Sequence, residues 1–182
     1  MAQPRTIRVL IVDNDPEDRL LIAELLSSAQ RCRYELTMAD GYSDGLEAIR
    51  KGDIDLCLLD YELNGHTGLE LIRSPAAAEL DAPIVVMSGH DDYEVDLAVM
   101  EAGAVEFLPK SELSSALLER VIRYSLQHHE SQKKFTYLAR HDQVTGLFNR
   151  SVLLERLDFM LDRPARERKS FAVMYFDLDG FK

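Results

Sequence analysis

Over the first 112 residues, short apolar runs alternate with longer stretches whose apolar residues recur at helical spacing. IRVLIV (7–12) precedes an amphipathic stretch from Glu17 to Ser28, with Leu20, Leu21, Leu25 and Ala29 on one face. YELTMA (34–39), IDLCLLD (54–60), IVVM behind Pro83, and VEFL (105–108) read as four more strands. Between them the pattern predicts helices over Tyr42 to Arg50 with Ser43 as cap, over GLELIRS after the Gly-rich loop NGHTG, and from Asp91 to Ala102, ended by Gly103. Apolar runs bounded by Gly, Pro and Asp mark strands buried on both faces of a parallel sheet. Five strands alternating with helices predict right-handed crossovers and an α/β, doubly wound sheet.

The texture changes after Pro109. Residues 112–140 contain no Gly or Pro, and Leu117, Val121, Tyr124, His128, Ser131, Phe135 and Leu138 recur at spacings of four and three. That is a heptad seam with polar residues at its centre. Up to Leu126 it reads as the last crossover helix packed on the sheet. Beyond Leu126 it reads as an extended helix that links domains and pairs with a second copy. Residues 141–182 form a third texture: a turn in HDQVTGLFNR, then a helix in SVLLERLDFMLDR with Val152, Leu153, Leu157, Met160 and Leu161 inward. A basic loop, RPARERKS, and a strand running into an acidic turn, FAVMYFDLDGFK, complete it. One helix and one strand do not close a core, so this is an incomplete α+β segment.

Charge divides the chain at the same place. The net charge of −11 separates into −14 over residues 1–112, with 23 acids against 9 bases, and +3 over residues 113–182, with 9 against 12. An acidic first domain argues against nucleic-acid binding there, because phosphate contacts need Lys and Arg. No apolar stretch reaches the length of a membrane span, and the N-terminus lacks a signal-peptide pattern. Cys32 and Cys57 make no disulfide framework. The expected location is the cytoplasm, with no membrane partner.

Four polar residues close the apolar runs: Asp13, Asp60, Ser88 and Lys110. Ligands of an open parallel sheet bind at the carboxyl ends of its strands, so these four should converge on one crevice. Neighbouring carboxylates call for a compensating cation, for which Mg²⁺ is the natural oxygen-ligated choice. Asp60 would be a carboxylate nucleophile, with Lys110 as a fixed positive charge. Together they are the parts of a phosphoryl acceptor.

The stretches VLIVDNDPEDRLL, LCLLDYELNGHTGLELI, PIVVMSGHDD and GAVEFLPKSEL resemble the receiver domain of bacterial response regulators across residues 5–125. The resemblance implies a flavodoxin-like sheet in which Asp60 is phosphorylated by a sensor histidine kinase or another phosphodonor. It implies that Asp13 and the backbone carbonyl of Glu62 help hold Mg²⁺, and that Ser88 and Lys110 contact the phosphoryl oxygens. Phe107 falls at the aromatic switch position, whose ring turns inward when Ser88 moves. Three positions depart from the family. Asn14 replaces the second acid, usually a direct metal ligand, so it offers an amide oxygen and lowers Mg²⁺ affinity; Asp15 is out of register to replace it. Asn64 stands where proline is frequent, and Ser111 follows Lys110 where many members carry a cis-proline peptide. The alternative is a degenerate, non-phosphorylated receiver used for dimerisation or docking.

The tail, with HD-x-x-TGL-x-NR and DLDGFK, resembles the first part of a GGDEF domain. The resemblance implies that Asp177 is a metal-binding carboxylate of an intact diguanylate cyclase-type domain. The signature loop is absent from these 182 residues, so the fragment is expected not to be an enzyme. The expected parent is a receiver–GGDEF protein, homodimeric through the receiver and the helix over 126–140, with output segment 141–182. His128, His129 and His141 are expected to be solvated or packed in the seam; His66 and His90 lie in loops near the pocket.

Overall fold

The computed structural model of the chain describes residues 6–29, 32–89, 93–162, 172–174 and 176. Its elements run β1 (Thr6–Val12), α1 (Pro16–Ser27), β2 (Arg33–Ala39), α2 (Tyr42–Lys51), β3 (Leu56–Asp60), β4 (Glu62–Leu63), β5 (His66–Thr67), α3 (Gly68–Ile72) and α4 (Pro75–Ala78). They continue with β6 (Ile84–Ser88), α5 (Tyr93–Glu101), β7 (Glu106–Pro109), a 3₁₀ turn (Lys110–Glu112), α6 (Ser115–Arg140) and α7 (Arg150–Leu161). The main sheet has the order β2-β1-β3-β6-β7, and every pairing in it is parallel. This is the doubly wound sheet that the apolar runs predict. The chain steps from β1 outward to β2, then returns to the other side of β1 with β3. The order therefore reverses between β1 and β3, which is where such sheets open a crevice.

Alternation along the strands fills two cores. Leu10 and Val12 of β1 join Leu59, Val86, Leu71 and Val99 on the face covered by α2, α3 and α5. Val9 and Ile11 join Leu58, Met87, Ile22, Leu118 and Ile122 on the face covered by α1 and α6. A period-two strand buried on both faces needs apolar residues at every position, and β3 and β6 have them. Asp60 and Ser88 end these runs as buried polar residues.

Several local expectations are corrected. Gly41, not Ser43, is the N-cap of α2, and no side chain bonds there. The helix expected over GLELIRS stops at Ile72, and Ser74 starts a separate short helix by accepting from Ala77 N–H at 3.2 Å. NGHTG is no plain loop: Glu62–Leu63 and His66–Thr67 pair as an antiparallel hairpin.

Packing divides the chain into two units, Met1–Gln132 and Lys133–Lys182. In the first, α6 buries Leu118, Val121, Ile122 and Ser125. Val121 of the heptad seam therefore faces the sheet, while Tyr124 is exposed. In the second, Phe135, Tyr137 and Leu138 are exposed, and a stack of Tyr137, His141 and Phe148 braces the turn after α6. His141 N–H also bonds the Tyr137 carbonyl at 2.9 Å. Asn149 caps α7 by accepting from Val152 N–H at 3.2 Å. Of the five α7 residues expected to point inward only Val152 is buried, and Leu153 and Leu161 are exposed. An amphipathic pattern reports a face that needs cover; it does not supply the cover. Residues 172–174, part of the expected last strand, have no regular secondary structure, and Asp177 lies outside the described residues. His90 and the loop over 163–170 lie outside them too.

Candidate functional site

Asp13 follows β1, Asp60 ends β3, Ser88 ends β6, and Lys110 follows β7, so four crossovers bring them to one edge of the sheet. Asp13 is fully buried, Asp60 is 4% exposed and Ser88 3%. The Lys110 ammonium lies 2.8 Å from Asp13 Oδ2 and 3.0 Å from Asp60 Oδ1. It is also 2.6 Å from Asp18 Oδ2, on the first turn of α1. One cation therefore serves three carboxylates.

The backbone fixes this group. Asp15 N–H donates to Asp13 Oδ1 at 2.8 Å, while Asp15 Oδ1 accepts from Glu17 N–H at 2.8 Å and caps α1. Asp15 is thus committed to the helix. The Arg19 guanidinium donates to the Asp13 carbonyl and reaches Asp40 at 3.2 Å. Tyr61 N–H bonds the Met87 carbonyl at 2.8 Å, and Gly68 N–H the Tyr61 carbonyl at 2.7 Å, so the β3–α3 connection folds tightly over Asp60. A Cβ on Gly68 would sit 2.7 Å from the Asp60 carbonyl oxygen, which leaves room for glycine alone.

Burial, with the Asp13 charge beside it, pushes the Asp60 carboxyl up to about 6 against the pull of Lys110 and a hydrogen bond from Glu62 N–H. Burial works to lower the Lys110 ammonium. Hydrogen bonds to Asp13 and Asp18, with the Asp60 charge, outweigh it and hold the ammonium above the ordinary lysine value. At neutral pH Asp60 is mostly an ionised, partly desolvated carboxylate beside a permanent cation. That combination suits a nucleophile that must accept an anionic group.

Residues 9–122 match the family model of the response regulator receiver domain. The chain belongs to this receiver family. Residues 139–182 match the model of the diguanylate cyclase GGDEF domain, so a receiver is followed by a GGDEF segment. The sensory/regulatory protein RpfC of Xanthomonas campestris pv. campestris is 25% identical over 158 residues, covering 85% of this chain and 21% of the relative. The two-component response regulator-like protein APRR3 of Arabidopsis thaliana is 33% identical over 113 residues, covering 58% of this chain and 22% of the relative. The chain thus spans about a fifth of the length of these relatives. Among solved structures, a CheY-like receiver from Methanospirillum hungatei JF-1 shares the fold at TM-score 0.61 and 24% identity, covering 70% of this chain and 98% of that one. A receiver domain of an HD domain-containing protein from Pseudomonas fluorescens Pf-5 gives 0.63 at 19% identity, covering 74% and 96%.

The receiver's donor set fits a hard divalent cation. Asp13 and Asp60 supply carboxylate oxygens, and Asn14 Oδ1 is buried with no hydrogen-bond partner among the described residues. A buried amide oxygen without a donor is an unmet acceptor, which a cation satisfies. Among the described residues there is no group of three or more His, Cys, Asp or Glu arranged for a metal. Glu62 lies exposed at the start of β4, two residues after Asp60 in the chain. Ser111 sits in the 3₁₀ turn, and no peptide bond among the described residues is cis.

Phe107 is buried among Val86, Val99 and Ala104, so its ring already faces the core of the receiver. Asp18, Arg19 and the Glu62 N–H escaped the sequence reading. An acid in the first turn of a helix is ordinary there, and only the position of α1 beside Lys110 gives Asp18 its role. His66 stacks on Tyr42 at 4.3 Å between ring centroids and pairs with Glu70 at 2.8 Å, anchoring the hairpin rather than the pocket. His129 pairs with Asp81 at 3.3 Å. Among the described residues no helix is long and apolar enough to cross a membrane.

Proposed function

We propose that this receiver accepts a phosphoryl group on Asp60 and, in the whole protein, controls a diguanylate cyclase-type output. The observation that carries this reading is Asp60, buried at the strand-order reversal and held 3.0 Å from the Lys110 ammonium. An Asp60 carboxylate oxygen attacks the phosphorus of a phosphohistidine or a small acyl phosphate. The bond from phosphorus to the donor breaks and its electron pair stays with the donor, which leaves either as an imidazole nitrogen that takes up a proton or as a carboxylate that needs none. Lys110 neutralises the charge added at Asp60, and the Ser88 hydroxyl donates to a phosphoryl oxygen. Bound Mg²⁺, held by Asp13, Asn14, Asp60 and the Glu62 carbonyl, would offset the negative charge of the transferring group.

Phosphorylation turns the single charge of Asp60 into nearly two. Lys110 must then divide itself between the new group and the carboxylates of Asp13 and Asp18. Movement of Ser88 toward the phosphoryl group changes the space beside β7, where Phe107 packs, and so gives the switch a second packing state. The readout passes along α6 to a homodimer whose two GGDEF domains each bring one nucleotide to a shared reaction, with Asp177 as a metal ligand there. The phosphodonor is a sensor histidine kinase or a metabolite of the acyl phosphate class.

The test is mass-spectrometric detection of a labile phosphoryl group after incubation with acetyl phosphate and Mg²⁺. The group should be present on wild type and missing from Asp60→Asn. Wild type that neither takes up the group nor binds beryllofluoride would leave the docking-module reading in its place.

A further inference from the structure

Two residues that depart from the receiver pattern, Asn14 and Asn64, touch each other. Asn14 Nδ2 donates to Asn64 Oδ1 at 3.2 Å. The other end of the same amide, Asn14 Oδ1, is buried and has no partner among the described residues. Asn64 and Gly65 form the tip of the β4–β5 hairpin, with φ of 47° and 89°. Positive φ at both central positions is the signature of a type I′ turn, for which Asn-Gly is the preferred pair. Proline, fixed near −65°, has no access to this conformation. The hairpin is pinned on both sides of its tip, by buried Leu63 and by His66 stacked on Tyr42. Asn64 Oδ1 is therefore delivered by a rigid turn to the outer side of Asn14.

We infer that Asn64 is a positioning residue that orients the Asn14 amide, so that its oxygen rather than its NH₂ group faces the cation of the phosphoacceptor pocket. This deepens the proposed function and rests on it. A carboxylate has two equivalent oxygens and ligates a metal whichever way it turns. An amide has one oxygen and one NH₂, and the wrong orientation puts N–H groups where a cation needs a lone pair. With the Asn64 amide oriented as it is, its Oδ1 accepts from the NH₂ end of Asn14 and leaves the Asn14 oxygen inward. An acid lost at one position is thus offset by an acceptor gained at another. The pair converts an indifferent amide into a directed oxygen ligand, as partners behind a ligand commonly do.

The experiment is Mg²⁺ titration of the full chain by isothermal calorimetry, with magnesium chloride as the only ligand and circular dichroism to check folding. Asn64→Gly keeps the turn, because glycine adopts positive φ freely, and removes only the acceptor. It should weaken Mg²⁺ binding about 10-fold, the lower end of what losing such a partner costs. Asn64→Asp keeps an acceptor and should bind at least as well as wild type. In an Asn14→Asp background, Asn64→Gly should leave affinity unchanged, and Asn64→Asp there reports the bare effect of its added charge. Equal affinities of wild type and Asn64→Gly would overturn the inference, as would the same loss in both backgrounds. Binding by Asn14→Asp and not by wild type would overturn the pairing while leaving the receiver pocket intact. No binding by either would overturn the pairing together with the metal site of the proposed function.

Discussion

Asp60→Asn should stabilise the receiver near neutral pH, although it removes a partner of Lys110. Burial and the Asp13 charge raise the Asp60 carboxyl from 3.8 to about 6 in the folded chain. A folded-state value above the unfolded one gives stability that is fully present below about pH 4 and is lost as pH rises through about 6. At about 1.4 kcal/mol per pH unit of separation, ionising Asp60 costs the fold about 3 kcal/mol at neutral pH and about 0.5 kcal/mol at about pH 4. Asparagine does not titrate and escapes that cost. Nor does it strand the ammonium, since Lys110 keeps Asp13 at 2.8 Å and Asp18 at 2.6 Å. Urea unfolding followed by circular dichroism, in chelator and across this pH range, measures the difference directly. The variant should gain on wild type by about 2 to 3 kcal/mol between about pH 4 and pH 7, with the gap flat above that. Saturating Mg²⁺ should shrink the gap by relieving the same repulsion. A gap independent of pH, or a variant weaker than wild type at neutral pH, would refute the account of Asp60 as a destabilised carboxylate.

Lys110→Ala leaves Asp13, Asp18 and Asp60 without their cation and should cost about 3 kcal/mol at neutral pH, with partial recovery on acidification as Asp60 protonates; thermal melts against pH read this. Gly68→Ala forces a methyl against the Asp60 carbonyl, 2.7 Å from the ideal Cβ, and should cost about 1 to 3 kcal/mol in urea unfolding and slow labelling by acetyl phosphate. Two positions on α6 separate packing from assembly. Ile122→Ala, fully buried, should cost about 3 kcal/mol. Phe135→Ala, where the residue is 72% exposed, should change stability by less than about 0.5 kcal/mol and instead weaken self-association in sedimentation. Equal effects of the two on stability would remove Phe135 from a proposed dimer seam.

The pocket was legible because parallel strands announce their ends. LCLL and IVVM are apolar at each position, so the first polar residue after each has to be a crevice residue or a mistake, and Asp60 and Ser88 are crevice residues. Asp18 was not legible, because a first-turn acid looks the same whether it meets solvent or a lysine 92 residues away. The β4–β5 hairpin carried its Asn-Gly signature in plain view. With only two residues in each strand, no alternation marked its flanks. Ser43 is a good capping residue in isolation, but the chain enters α2 two residues earlier, at Gly41 with φ of 84°. Residues over α7 show the limit of periodicity, which specifies a stripe and not the partner that covers it.

A lysine shared among Asp13, Asp18 and Asp60 also sets what the pocket ignores. A free ammonium in a cleft would collect chloride, sulfate or any passing metabolite anion. Here every visitor must outbid three carboxylates already within 3.0 Å of the nitrogen. A dilute, mobile anion has too little attraction to win that competition, since it loses its own hydration on entry. Under the proposed function, a phosphoryl group bonded to Asp60 would arrive with its charge fixed in place and without an encounter cost. The lysine's prior engagements thus act as a noise filter against free anions, and under the proposed function they leave the pocket to a group bonded to Asp60.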